Sequence, residues 1–367
     1  MDVKENSEQQ QEEEQVDVFD LLPDALVLEI FNRVQDARSL SACTILCKRF
    51  GDLVTQTETV SLQIIARRNT TSFQELSSKS GDHISNNKSK GGFLGRFILK
   101  PVNDFLRRMM SRKPKPCCED EEEENTFRLP NELLKNFKEV KSLAIKLPGY
   151  EGDVSPNGSG GALLKWKAEF GKELESCVIL GATGFKKSEN STKDETKGKV
   201  EDVISTTNHL TNKQLKKRVV WTISCLIACS ARHHMLKQII SVNRMLRNVK
   251  ITDGSKQGTI DMKERQVFDV RNDTMCSEKT SDLEMERTKV PAVIIKMWYM
   301  PMLELPESGG VMKGATLAVI RPVIGTTVEK QDDVTLAMGA FEDKFVKEAV
   351  KKLVEKKRSY TLEMNSF

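Results

Sequence analysis

Long apolar runs are missing from this sequence. No stretch approaches the ~20 apolar residues that a bilayer-spanning helix needs. The first residues are acidic and Gln-rich, so no signal peptide is expected. Histidine is scarce: there are four in 367 residues, two of them adjacent. That leaves few candidates for acid–base or nucleophilic chemistry. The eight cysteines follow no regular spacing, so a disulfide framework is not expected and reduced, intracellular thiols are. The net charge of +4 is too small to argue for nucleic-acid binding. At 38% hydrophobic and 30% charged residues, the chain is polar for a globular protein without reading as disordered throughout. Its length suits one large domain with attachments, or two domains.

Against that background, one stretch stands out, Asp17 to Phe50. Pro23 suits the first turn of a helix, and Asp24 beside it favours the positive end of the helix dipole. Residues Asp24 to Val34 read as helix. On it, Leu26, Val27, Leu28, Ile30, Phe31 and Val34 spread over an arc of roughly 200°. A surface helix needs a stripe of about 100°. Asp36 is an expected N-cap, after which Leu40, Cys43, Leu46, Cys47, Phe50, Leu53 and Val54 are expected on one helical face. Two or three short helices have too little interior to bury so much apolar surface. The excess predicts a docked partner.

The run Leu22-Pro23-Asp24-Ala25-Leu26, then Ile30-Phe31-Asn32-Arg33-Val34, then Leu40, then Leu46-Cys47-Lys48-Arg49-Phe50, resembles an F-box. Ala25 stands where that family commonly has Glu, and Phe50 where it has Trp. Both changes keep the packing. The resemblance implies a non-catalytic subunit of an SCF (Skp-cullin-F-box) ubiquitin ligase. Its helices would dock on a Skp-family adaptor, and through it on cullin and a RING protein. The adaptor-binding residues it points to are Leu22, Pro23, Leu26, Ile30, Phe31, Leu40, Cys47, Lys48 and Phe50. The order of elements further along is similar to the plant, auxin-up-regulated subgroup of F-box proteins. For such a protein the expected location is the nucleus, the cytoplasm or both.

The expected organisation is an acidic tail over 1–16, the F-box over 17–60, a linker over 61–126, and a substrate-recognition domain over 127–367. A strand is expected from Val60 to Arg67, and a flexible stretch over 77–92. Residues 93–110 are amphipathic and are followed by basic residues and Cys117-Cys118. A membrane-surface segment with two acylatable thiols would look like this. So would a packed helix followed by a charged loop, and the acidic run Glu119–Glu124 favours the loop because anionic lipid repels it. From Phe127 the pattern predicts helices over 133–141, 163–174, 211–247 (with a break near 230–233) and 341–356. Strands are expected over 142–147, 177–180, 249–253, 290–305, 315–320 and 359–364. Strand starts near 142, 176 and 249 lie close to multiples of about 36 residues, which suggests an irregular leucine-rich-repeat-like β/α array. An ordinary α/β sheet is the other reading. The fold class is therefore α+β or α/β.

No catalytic, cofactor or metal site is expected. Cys225, Cys229 and His233 recur every fourth residue, as three ligands on a helix would. Structural zinc sites take ligand pairs from turns, however, so core cysteines are the better reading. The glycines of GATGFKK are mis-spaced for a phosphate loop. Trp166, Trp221 and Trp298 lie inside apolar patterns and read as core. Lys/Arg clusters over 216–218 and 351–358 read as solvated helix faces rather than nuclear-import signals. The α/β region names no target protein.

Overall fold

The computed structural model describes Phe19 and residues 21–64, 133–148, 162–187, 210–276, 287–323 and 332–367. The acidic tail, the stretch over 77–92, the amphipathic segment over 93–110, Cys117-Cys118 and the acidic run after them lie outside the described residues.

Three short helices come first: α1 (Asp24–Val34), α2 (Ala37–Leu46) and α3 (Lys48–Thr55). Asp36 caps α2 by accepting from the Ser39 amide at 2.9 Å. The chain does not continue as one helix through Cys47. That residue is extended, at φ −156° and ψ 162°, and its sulfur accepts from the Phe50 amide to start α3. The predicted single face is thereby split, and Leu46 and Cys47 turn out to solvent.

The rest is a ten-stranded mixed sheet. Its strands are β1 (Thr59–Gln63), β2 (Ser142–Leu147), β3 (Leu163–Phe170), β4 (Leu174–Ala182), β5 (Gly184–Lys187), β6 (Asn248–Asp253), β7 (Gly258–Met262), β8 (Val293–Leu305), β9 (Gly310–Pro322) and β10 (Tyr360–Met364). The spatial order is β1-β2-β6-β7-β3-β4-β9-β8-β10, with β5 also on β9. The helices are α4 (Asn212–Val242), α5 (Glu264–Cys276), α6 (Asp333–Gly339) and α7 (Lys344–Val354).

This order corrects the repeat-like reading. In a β/α array, consecutive strands would be parallel neighbours. Here β2 and β6 are parallel neighbours, but β7 and β3 separate β6 from β4. β4 is antiparallel to both of its neighbours. The spacing of about 36 residues is therefore arithmetic without structure. The fold is α+β, with helices on both faces of the sheet. β4 shows why its sequence is continuously apolar. Cys177 and Ile179 face one core cluster, and Val178 and Leu180 the other. The first cluster runs from α1–α3 along the sheet and beneath α4. The second lies under α7.

Residues 163–174, expected as helix, form β3 and the turn into β4. Trp166, Ala168 and Phe170 are buried, while Lys165, Lys167 and Glu169 alternate with them on the other face. That is the two-residue period of a strand. The segment over 133–141 makes only a brief helical turn before β2 and buries Leu134, Phe137 and Val140.

α4 runs unbroken for 31 residues, without the break expected near 230–233. Ser230 and His233 are buried, but both bond to Thr288 rather than to the helix's own turn. Ala228, Ser230 and Ala231 keep the packed face slim. The three tryptophans are core, as expected.

Candidate functional site

Helix α1 carries two apolar stripes. Val27 and Phe31 point inward, and Leu26, Ile30 and Val34 point out. Residues one position apart lie ~100° apart on a helix, so one helix can serve a core and a partner together. The inner stripe is fixed by a ring cluster. Phe50 meets Phe31 edge-on at 5.6 Å and Phe19 at 5.8 Å between centroids. Phe50 fills this position although a larger ring is usual there.

The structure divides the nine sequence-predicted residues. Pro23, Leu26, Ile30, Cys47 and Lys48 are exposed, with Leu26 at 52% and Ile30 at 42%. Leu22 and Phe50 are half-buried. Phe31 and Leu40 are buried, Leu40 completely. These two are framework and have no surface to offer a partner. Four further exposed apolar residues of this stretch are not among the nine: Leu21, Val34, Ile45 and Leu46. Val34 continues the i, i+4 stripe of Leu26 and Ile30, so its position was available in the sequence. Ile45 and Leu46 were not, because their exposure follows from the break at Cys47. Among the described residues, seven of the fifteen exposed large hydrophobics lie between Phe19 and Leu46. Such a concentration is more than scattered surface apolars and makes this face a candidate docking surface.

The helices are fastened to the sheet. Asn32 Oδ1 accepts from the Glu58 and Thr59 amides at 2.9 and 3.2 Å. The Ser61 amide donates to the Gln35 carbonyl at 2.6 Å, and Asp36 bridges to Ser61. Gln35 adopts a left-handed conformation, φ 57°, to make that turn. A boundary at residue 60 would fall inside β1, whose Val60 and Leu62 share the first core cluster with Phe31 and Leu40.

The cysteine–histidine set is core. Cys177, Cys225, Cys229 and His233 are buried. Cys177 is raised well above the ordinary thiol range by its bond to Cys229 and by burial, and burial also pushes Cys225 up. Thiols held protonated in this way are not nucleophiles. Among the described residues, no three His, Cys, Asp or Glu side chains are grouped to hold a metal ion. No helix among them is long and apolar enough to cross a membrane. GATGFKK runs from β4 into β5, with Gly181 against the Trp221 ring. An open groove of about 690 Å³ is lined by Glu307, Ser308, Glu342, Asp343, Lys344 and Phe345.

His233 does carry a testable property. Its ring stacks on Phe170 at 4.3 Å, and its Nδ1 shares a 2.9 Å bond with Thr288 Oγ1. Burial lowers its pKa to about 3. The unfolded chain binds a proton here below about pH 6.5, whereas the folded chain does not until about pH 3. This contribution to stability is thus full above pH 6.5 and is lost as pH falls toward 3. The limiting slope is about 1.4 kcal/mol per pH unit. Urea midpoints measured from pH 7 to 5 should therefore fall less steeply in His233→Gln than in the wild type. Equal slopes would refute the assignment.

No family model matches the chain, and no solved structure matches it. It is similar over nearly its whole length to several proteins of Arabidopsis thaliana. F-box protein At4g18380 is 38% identical, with 97% of this chain and 96% of that protein covered. F-box protein AUF1 is 35% identical, over 96% of this chain and 100% of that protein. F-box protein AUF2 is 32% identical, again over 96% and 100%.

Proposed function

We propose, from the premise that this chain belongs to the plant F-box proteins, that it is the substrate-receptor subunit of an SCF-type ubiquitin ligase. The observation that carries the reading is the outward stripe of Leu26, Ile30 and Val34 beside exposed Leu21 and Pro23. A Skp-family adaptor covers this stripe together with Leu22 and Pro23, with Cys47, Lys48 and Phe50 at its border. Phe31 and Leu40 support it from below. The adaptor joins cullin and, through cullin, a RING protein. The chain contributes position rather than catalysis. The sheet domain holds a target protein near the ubiquitin-charged conjugating enzyme, which raises the effective concentration of the target's lysines. The complex works in the nucleus, the cytoplasm or both.

Apolar anchors at the centre of an interface each cost about 2–4 kcal/mol when truncated. Leu22→Ala with Pro23→Ala should therefore abolish adaptor pull-down by the full-length chain. Cullin should copurify with the wild type and not with the double variant. Undiminished adaptor retention by the double variant would defeat the reading.

A further inference from the structure

We propose that Arg49 is a positioning residue for adaptor docking, holding Phe19 and residues 21–24 in the shape the adaptor meets. The inference rests on the reading that the exposed face of α1 is the adaptor site. Arg49 lies on α3, 25 residues beyond Asp24. Its guanidinium nevertheless reaches, among the described residues, three acceptors at and before the start of α1. Nε donates to Asp24 Oδ1 at 2.7 Å, Nη1 donates to the Phe19 carbonyl at 2.8 Å, and Nη2 donates to the Leu22 carbonyl. The Arg49 side chain is 29% exposed, so part of the fork is sheltered from water.

This clasp stands in for a missing one. Helix α1 begins at Asp24, and its N-cap residue, Pro23, supplies no side-chain cap. The segment before it places Leu21 in solvent, where no packing fixes its direction. Without the fork, Phe19 would keep its ring contact with Phe50 and Leu22 its core packing, but residues 21–24 would be held less tightly, and the extra ordering on binding would subtract from affinity. The geometry requires arginine. A planar guanidinium with five N–H donors spans three acceptors in fixed directions, whereas an ammonium is a point charge on a flexible stem. Arg49→Lys is therefore not a conservative change here, although it keeps the charge.

Full-length wild type, Arg49→Lys, Leu21→Ala and the double variant should be titrated with a purified Skp-family adaptor. Amide hydrogen exchange should be followed on each free chain. The expected result is about tenfold weaker adaptor binding by Arg49→Lys. In its free form, exchange over residues 21–26 should quicken at least tenfold while exchange in α4 stays unchanged. Leu21→Ala should cost less affinity in the Arg49→Lys background than in the wild type, because the two act through one segment. Unchanged affinity in Arg49→Lys would overturn the proposal. So would weakened affinity without faster exchange, or strictly additive losses, since either places Arg49 directly on the adaptor. A wild-type chain that fails to bind adaptor would overturn the function itself, a result distinct from an Arg49→Lys failure beside an intact wild type.

Discussion

Replacing Leu26 and Ile30 together by aspartate should abolish adaptor binding and shift the melting temperature by no more than about 2 °C. Both side chains stand largely in solvent on the outer face of α1. Neither belongs to the buried core cluster. Removing them opens no cavity. The intrinsic helix cost of aspartate is at most about 0.7 kcal/mol per site, and position 26 lies in the first turn, where a negative charge is favoured. At the interface, each replacement removes an apolar anchor and buries a carboxylate against an apolar partner. The expected loss is at least a hundredfold in affinity, about 2.7 kcal/mol or more. Leu40→Ala is the contrast. Leu40 is fully buried, and its truncation should cost about 2–5 kcal/mol of stability. Calorimetry of the adaptor complex, beside thermal melts of the free variants, separates the two effects. An aspartate variant that binds normally would move the interface elsewhere. One that melts as early as Leu40→Ala would show that the outer stripe is part of the fold.

Asp253→Ala should be among the most damaging single changes in the sheet, at roughly 3–5 kcal/mol. Asp253 is buried in the turn from β6 to β7. It accepts from Arg232 at 2.8 Å, from the Gln257 and Gly258 amides at 2.7 and 3.0 Å, and from Ser255 Oγ at 2.9 Å. Arg232 reaches it from α4, lies over the Trp166 ring at 4.6 Å and also donates to the Gly258 carbonyl. Removing the carboxylate leaves that guanidinium buried without its counter-charge and two turn amides without an acceptor. Gly258 belongs to the same layer. A Cβ on it would lie 2.2 Å from two Trp166 ring atoms and 2.7 Å from Arg232 Nη1. Gly258→Ala should therefore also be strongly destabilising. The double variant should lose less than the sum of the two, because both disrupt one stack. Urea midpoints of the three variants test this. A cost below about 1 kcal/mol for Asp253→Ala would mean that α4 and the turn are held by something else.

How far the sequence could be read depended on whether one face or two were buried. Helix α1 was legible to its ends, because Pro23, Asp24 and the apolar spacing agree. Its division of labour was not legible. Val27 and Phe31 differ from Leu26 and Ile30 by a single position, and the choice between them is made by β1 and by Phe50, outside the helix. Phe31 and Leu40 were read as contacts because the F-box resemblance points to them, and the sequence does not show that the core cluster buries both. β3 was misread because Lys165, Lys167 and Glu169 favour helix as much as they suit the outer face of a strand. There they pair with Asp343 and with one another. β7 and α5 were not anticipated: GTIDM offers only five residues, and its burial comes from neighbours far away in sequence. The absence of a break in α4 reflects Thr288, which lies 58 residues beyond Ser230.

The hydrogen bonds from Asn32 and Gln35 to the start of β1, with a core common to both parts, have a thermodynamic consequence. The adaptor-binding helices and the sheet cannot unfold separately without opening that common interior. Adaptor binding is therefore linked to the folding of the whole receptor. With free adaptor at a hundred times its dissociation constant, the entire chain gains about 2.7 kcal/mol. A receptor that outnumbers its adaptor has no such ballast. Copies without bound adaptor would lack that gain and would unfold more often.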